Sequence, residues 1–225
     1  MRKIFLILMV IASVGMTGCT RNPYTQPAGP AGGVNAMYNT INMVNPNEAV
    51  IVFFRSEKQA QVDASPGLVR HGQADMYPGG GKQAPVIEGD EDVKKLSFIT
   101  VLSKNNTKYL HRTTPGRHWY VVNTVRGRGD MLEADLEAGK TYYAYISYDK
   151  AFIFKPVSDD ADKSFREDLA SCIWIQNLPR GQEWFLENLS SLLRNYTAAL
   201  AKHQAVMPEY RKIIRPEYGT NTPVH

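Results

Sequence analysis

Apolar and polar positions change rhythm twice along this chain. Between Glu48 and Arg55 runs Ala49-Val50-Ile51-Val52-Phe53-Phe54, six apolar residues bounded by charge. Its β-branched and aromatic content and its shortness predict a strand rather than a helix. Both faces are apolar, so the strand is expected at the centre of a sheet, covered on both sides. Further strands are predicted at 96–102, 108–112, 118–125, 131–136, 141–148 and 151–157. In 131–136, Leu132, Ala134 and Leu136 share one face while Glu133 and Asp135 take the other. In 141–148, Tyr142, Ala144, Ile146 and Tyr148 share a face. Turns fall at Thr114-Pro115-Gly116, Gly127-Arg128-Gly129-Asp130 and Ala138-Gly139-Lys140, where Pro fixes one φ and Gly is free to take a positive one.

After residue 157 the period becomes helical. A short helix is predicted over 162–170. A longer amphipathic one follows Pro179-Arg180-Gly181, with Phe185, Leu189, Leu192, Leu193, Tyr196 and Leu200 at helical spacing. The expected fold is mainly β: an antiparallel β-sandwich with a C-terminal amphipathic helix packed on it. That helix is expected to cover the outer side of the Val50–Phe54 strand.

The regions between these patterns set the organisation. Residues 56–93 carry Pro66-Gly67, Pro78-Gly79-Gly80-Gly81 and Glu88-Gly89-Asp90, which predicts a long loop inserted in the 48–157 β-domain. A helical extension spans 158–207, and 208–225, basic at Arg211, Lys212 and Arg215, is expected to be a flexible tail. Residues 19–47, rich in Pro, Gly, Asn and Thr, cannot bury enough apolar surface to order themselves. They are expected to form a tether spanning roughly 30 Å.

The first eighteen residues change the picture most. Met1-Arg2-Lys3 is positively charged, Ile4 to Val14 is apolar, and Met16-Thr17-Gly18 leads to Cys19. A charged start, an apolar stretch and small residues before a cut make a signal peptide. The apolar stretch is too short for a bilayer span, which takes roughly 20 residues. Thr17-Gly18-Cys19 resembles the bacterial lipobox, with Met16 in place of the usual leucine. The resemblance implies cleavage before Cys19 and a covalent diacylglycerol and N-acyl (palmitate) lipid on its sulfur. Two or three acyl chains hold a membrane where one is only marginal. Thr20 is not Asp, which resembles the pattern of lipoproteins sent to the outer membrane, facing the periplasm.

Charge excludes little else. The 225 residues carry a formal +4, and two of the positive charges, Arg2 and Lys3, leave with the signal. No block of like charge suggests a nucleic-acid partner. With Cys19 acylated, Cys172 has no intramolecular partner; followed by Ile-Trp-Ile, it reads as a buried structural cysteine, without the polar, electropositive setting of a reactive thiol.

No catalytic constellation emerges. Gly139-Lys140-Thr141 ends like a phosphate loop, but Ala134 stands where its first Gly belongs and a strand follows. Gly127-Arg128-Gly129 fails as a dinucleotide fingerprint at Leu132, and Arg128-Gly129-Asp130 spells an adhesion tripeptide of no specificity. His111 and His118 flank the Pro115-Gly116 turn, where a hairpin would bring them together, but a metal site needs a third ligand. No cofactor and no catalytic residue are predicted. The candidate binding surface is Tyr143, Tyr145, His118 and Arg117, with the other tyrosines read as core or cross-strand pairs.

Three segments carry a wider resemblance: the strand ending Phe53-Phe54-Arg55, the Pro115-Gly116-Arg117-His118 turn, and Ala138-Gly139-Lys140-Thr141-Tyr142-Tyr143. Together, over 48–157, they resemble an uncharacterised domain of bacterial envelope lipoproteins, similar to the small β-sandwich modules of the PEGA and carboxypeptidase-regulatory type. The long 56–93 segment departs from that pattern. The resemblance implies a fold and a location, and no catalytic residue carries over. The expected function is a non-catalytic binding or assembly module of the cell envelope, with an envelope protein or peptidoglycan as partner. The alternatives are a cell-wall or carbohydrate hydrolase, with a cleft near His118, Asp130 and Glu133, and a structural subunit of an envelope complex.

Overall fold

A computed structural model describes residues 25–27, 45–56, 84–102, 106–122, 129–149, 151–158 and 163–221. Eleven strands appear among them: β1 (Thr25–Pro27), β2 (Ala49–Arg55), β3 (Ala84–Gly89), β4 (Leu96–Leu102), β5 (Thr107–Thr113), β6 (Gly116–Val122), β7 (Asp130–Leu136), β8 (Thr141–Asp149), β9 (Ala151–Val157), β10 (Ile173–Asn177) and β11 (Ile213–Ile214). The helices are α1 (Lys163–Ser171), α2 (Pro179–Glu187) and α3 (Leu189–Ala205).

The strands form two sheets, ordered β1-β10-β5-β2-β8-β9 and β11-β7-β6-β3-β4. They face one another over a shared core. Ala49, Ile51, Phe53, Tyr142, Ala144 and Ile146 of the first sheet meet Val86, Tyr120, Val122, Leu132 and Leu136 of the second. The Phe53 ring stands edge-on to Tyr120, centroids 5.1 Å apart. Every residue of β2 is buried, as its double-sided apolar pattern requires.

The chain is mainly β, but its sheets are mixed rather than antiparallel. β2 pairs in parallel with β8, β10 with β5, and β11 with β7. Apolar pattern decides how deeply a strand is buried. It says nothing about direction once a long crossover brings the chain back the same way.

The outer faces are covered by different helices from those expected. Val50, Val52 and Phe54 of β2, with Tyr143 and Tyr145, lie under Phe165 and Leu169 of α1 and under Cys172 and Trp174. A nine-residue helix suffices for that narrow strip. The predicted long helix is two, α2 and α3, and both go to the other sheet, where Phe185 of α2 and Leu192, Tyr196, Ala199 and Leu200 of α3 cover Ile87, Val121 and Met131.

Three segments expected outside the fold belong to it. Residues 84–89 of the predicted loop form β3, between β4 and β6. Thr25–Pro27 of the predicted tether pair antiparallel with β10, Thr25 opposite Asn177. The predicted tail adds β11, with Ile214 fully buried, and Thr220 exchanges two 3.0 Å backbone bonds with Thr141.

Side chains sew the sheet edges together. The Thr25 hydroxyl donates to Val101 O of β4 (3.3 Å) and Asn177 Nδ2 donates to Ile99 O (2.7 Å). On the far edge, the Phe154 N–H donates to Asp130 Oδ2 (2.7 Å), which also accepts from Lys212 Nζ (2.6 Å). These bonds occupy edge groups that would otherwise be left to water or another chain.

Candidate functional site

The turn after β5 does not make the expected hairpin. β5 pairs with β2 in the first sheet and β6 with β7 in the second, so Thr114-Pro115-Gly116 crosses the gap between layers. Gly116 takes φ +122° there, a conformation side chains resist. His111 and His118 thus sit on opposing sheets, both facing inward: His111 is level with Ile51 and His118 with Ala134.

Between them stands Glu88 of β3, opposite Tyr120 in the β3–β6 pairing. Its Oε1 lies 2.6 Å from His118 Nδ1 and its Oε2 3.3 Å from His111 Nε2. The second contact is an ion-pair distance without hydrogen-bond alignment. His118 Nε2 donates to the Thr114 carbonyl at 2.8 Å. Carboxylate and carbonyl are both acceptors, so the ring satisfies both nitrogens only as the imidazolium. Its pKa moves accordingly: burial would lower it, but Glu88 and the Thr114 carbonyl raise it. Burial would likewise raise the Glu88 carboxyl, and the two imidazoles instead hold it down at about 2. A carboxylate and two rings from two sheets therefore form one charged bridge through the rim of the core.

Tyr120 lies against this bridge. Its ring stacks on His118 (centroids 6.1 Å, planes 16° apart) and stands edge-on to His111 (6.0 Å, 86°). Its hydroxyl is fully buried and makes no hydrogen bond among the described residues; the Thr113 side chain faces it without bonding geometry. Burial raises its pKa well above the phenol range, and the Glu88 charge adds to that.

Outside the bridge opens a cavity of about 340 Å³ lined by Glu88, Asp90, Lys95, Thr113, Arg117 and His118, among others. Arg117 and His118, neighbours in the chain, both line it. Arg117 is largely exposed and its Nε lies 3.3 Å from Glu133 Oε1. Glu133 Oε2 lies 3.3 Å from His203 Nε2 of α3, tying the cavity's outer wall to the helix.

Tyr143 and Tyr145 do not contribute to a surface. They are 3% and 5% exposed, packed against Phe165 and Phe54 beneath α1. Alternation places them on the face opposite Tyr142, and α1 covers that face. Cys19 and Arg128 lie outside the described residues. Gly139, at φ +75°, makes the turn into β8. Cys172 is buried, its Sγ donating to Asp168 O (3.2 Å) and Arg55 O (3.4 Å); burial pushes the thiol up to about 12.

Asp130 lines a second, smaller cavity of about 180 Å³ with Lys202, His203 and Lys212; its carboxylate is engaged by Lys212 and the Phe154 amide, and Glu133 by Arg117 and His203. Among the described residues no group of His, Cys, Asp and Glu is arranged to hold a metal ion. Glu88, the centre of the site, was hidden inside the predicted loop. The apolar Val86-Ile87 before it was its only strand signal.

No protein-family model, curated protein or solved structure matches the chain. Among the described residues, no helix is long and apolar enough to cross a membrane.

Proposed function

We propose that this chain is a lipid-anchored, non-catalytic module of the bacterial cell envelope. It is held by lipid on Cys19 and takes a polar ligand, a segment of an envelope protein or of peptidoglycan, beside His118. The observation that carries the anchoring is Ile4–Val14 followed by Met16-Thr17-Gly18-Cys19. The segments Phe53-Phe54-Arg55, Pro115-Gly116-Arg117-His118 and 138–143 support membership of the envelope-lipoprotein family they resemble. Thr20 supports the outer membrane as its destination, facing the periplasm.

The geometry of the cavity supports binding over catalysis. A general acid or base must exchange a proton near the working pH. His118 spends both ring nitrogens on fixed acceptors, and Glu88 is held ionised far below neutrality. What remains open to a ligand is a fixed pattern: the Arg117 cation, the Lys95 ammonium and threonine hydroxyls around a locked ion bridge. Such a wall offers several donors to carboxylate or hydroxyl groups.

The test has two parts. Clickable palmitate fed to cells should label the protein, and both globomycin and Cys19→Ser should block normal maturation. Photocrosslinking from a probe beside Arg117, in intact envelopes, should recover a protein or glycan adduct that Arg117→Ala removes. Labelling unaffected by Cys19→Ser overturns the anchoring; an adduct indifferent to Arg117→Ala overturns the binding site.

A further inference from the structure

Half of the exposed large hydrophobic side chains among the described residues follow one another closely along the helical layer. Leu186 is 58% exposed, Leu189 39% and Leu193 40%. Leu189 and Leu193 stand one turn apart on α3, and Leu186 precedes them by three residues across Asn188. On α3, Leu189 and Leu193 flank the buried ridge of Leu192, Tyr196 and Leu200. Single exposed leucines need no explanation, but three within the eight residues 186–193 concentrate apolar surface on one stretch of the helical layer, which suits an apolar partner. The neighbouring exposed charges, Arg180, Glu183, Glu187 and Arg194, cancel, so the row has no strong attraction for a charged partner.

The path of the chain indicates what that surface meets. Cys19 precedes Thr25 by only six residues, and Thr25 is seated in the first sheet opposite Asn177. Even fully extended, six residues reach about 20 Å. α2 begins at Pro179, two residues after Asn177. The Thr25 hydroxyl bonds Val101 O, and Trp184 of α2 packs on Val101. From Pro179, Leu186 lies about 10 Å along the helix. A lipid on Cys19 is therefore leashed within about 20 Å of Thr25, beside the Val101 edge on which α2 packs. The fold does not float at the end of the roughly 30 Å tether its composition suggests.

We infer that Leu186, Leu189 and Leu193 rest on the lipid leaflet that holds the Cys19 anchor, so that α2 and the start of α3 form the membrane-facing side of the protein. The inference rests on the lipid-anchor reading. The anchor supplies the affinity and the leucines supply the orientation, leaving the Arg117 cavity on a side set by the fold rather than by a free tether.

The test uses the full lipidated protein in bilayers of phosphatidylethanolamine and phosphatidylglycerol. Nitroxides are placed singly at Leu186, Leu189 and Leu193 through Cys variants, with Ala198→Cys, exposed half a turn around α3 from Leu189, as reference. Cys172 is buried and stays unlabelled. The expected result is a several-fold higher ratio of oxygen to nickel-chelate collisions at the three leucine sites than at 198, unchanged between 0.1 and about 1 M salt, because the contact is apolar. Equal collision ratios at all four sites, in protein whose Cys19 carries palmitate, overturn the docking and leave the anchor intact. Absence of palmitate overturns the anchor reading itself. Spin–spin broadening between copies at the leucine sites assigns the surface to a second copy and also overturns the inference.

Discussion

Tyr196 of α3 leaves no room for a side chain at Gly89 of β3. A Cβ built there would stand 2.6 Å from Tyr196 Cε2 and 2.7 Å from its hydroxyl oxygen, far inside van der Waals contact. The ring is fully buried and its hydroxyl donates to Asp90 O at 3.1 Å, so it cannot swing away without leaving that bond. Gly89 follows Glu88 directly, so the helix presses on the strand that carries the charged bridge.

Gly89→Ala should therefore lower stability by about 1–3 kcal/mol, the usual penalty for overpacking. Tyr196→Phe keeps the ring and loses one neutral hydrogen bond, which is worth about 1 kcal/mol. Urea unfolding of both variants measures the difference. Gly89→Ala should cost less in a Tyr196→Leu background than in the parent, because the clash is with the ring.

The Glu88 bridge gives stability a defined pH window. Glu88 is held below its usual 4.5, at about 2, so its contribution is complete above pH 4.5 and is lost as pH falls towards 2. His118 is raised above its usual 6.5, so its contribution is complete below 6.5 and is lost as pH rises past its folded-state value. Together the two are strongest between about pH 4.5 and 6.5. Glu88→Gln should remove on the order of 3 kcal/mol of acid-dependent stability and flatten the melting temperature between pH 2 and 5. In the same variant the His118 imidazole should titrate lower than in the parent, because burial then acts without the carboxylate; NMR of the ring protons reads it.

The end of the chain should behave as part of the core. Ile214 is fully buried and β11 lies along β7. Ile214→Ala should cost about 2–4 kcal/mol, as for other buried large-to-small changes. Arg215→Ala, at an exposed neighbour, should stay within about 0.5 kcal/mol. A loose tail would give no difference between them.

Cys172 should be chemically silent. With the thiol buried and pushed up to about 12, almost no thiolate exists near neutrality, and the thiolate is the reactive form. Maleimide at pH 7.5 should leave Cys172 unmodified in the folded protein and label it fully in guanidinium, as peptide mass spectrometry would report.

Much of the β framework was legible because alternation and β-branched content act locally. β4 and β9 occupy the predicted 96–102 and 151–157. What escaped notice depended on distant partners. β3 is short and contains Pro85, a breaker in most strands, and it survives by pairing on both sides. β10 offers only Ile173-Trp174-Ile175 as an apolar signal, and β11 only two residues. Alternation placed Tyr143 and Tyr145 on a different face from Tyr142, but nothing local says that α1 lies over them. The cavity was half legible. Arg117 and His118 stand out beside a Pro-Gly turn. Glu88 reaches them only because β3 lies next to β6, thirty residues away in sequence.

The pairing of Thr25–Pro27 with Ile173–Asn177 also orders events in time. A polypeptide that emerges amino end first holds its earliest strand idle until a partner about 150 residues later has appeared. Closure of that ladder is a late, long-range step of the kind that slows folding. Until nearly the whole chain has arrived, Thr25–Pro27 has no native strand to lie against and its backbone groups stay open to any other edge.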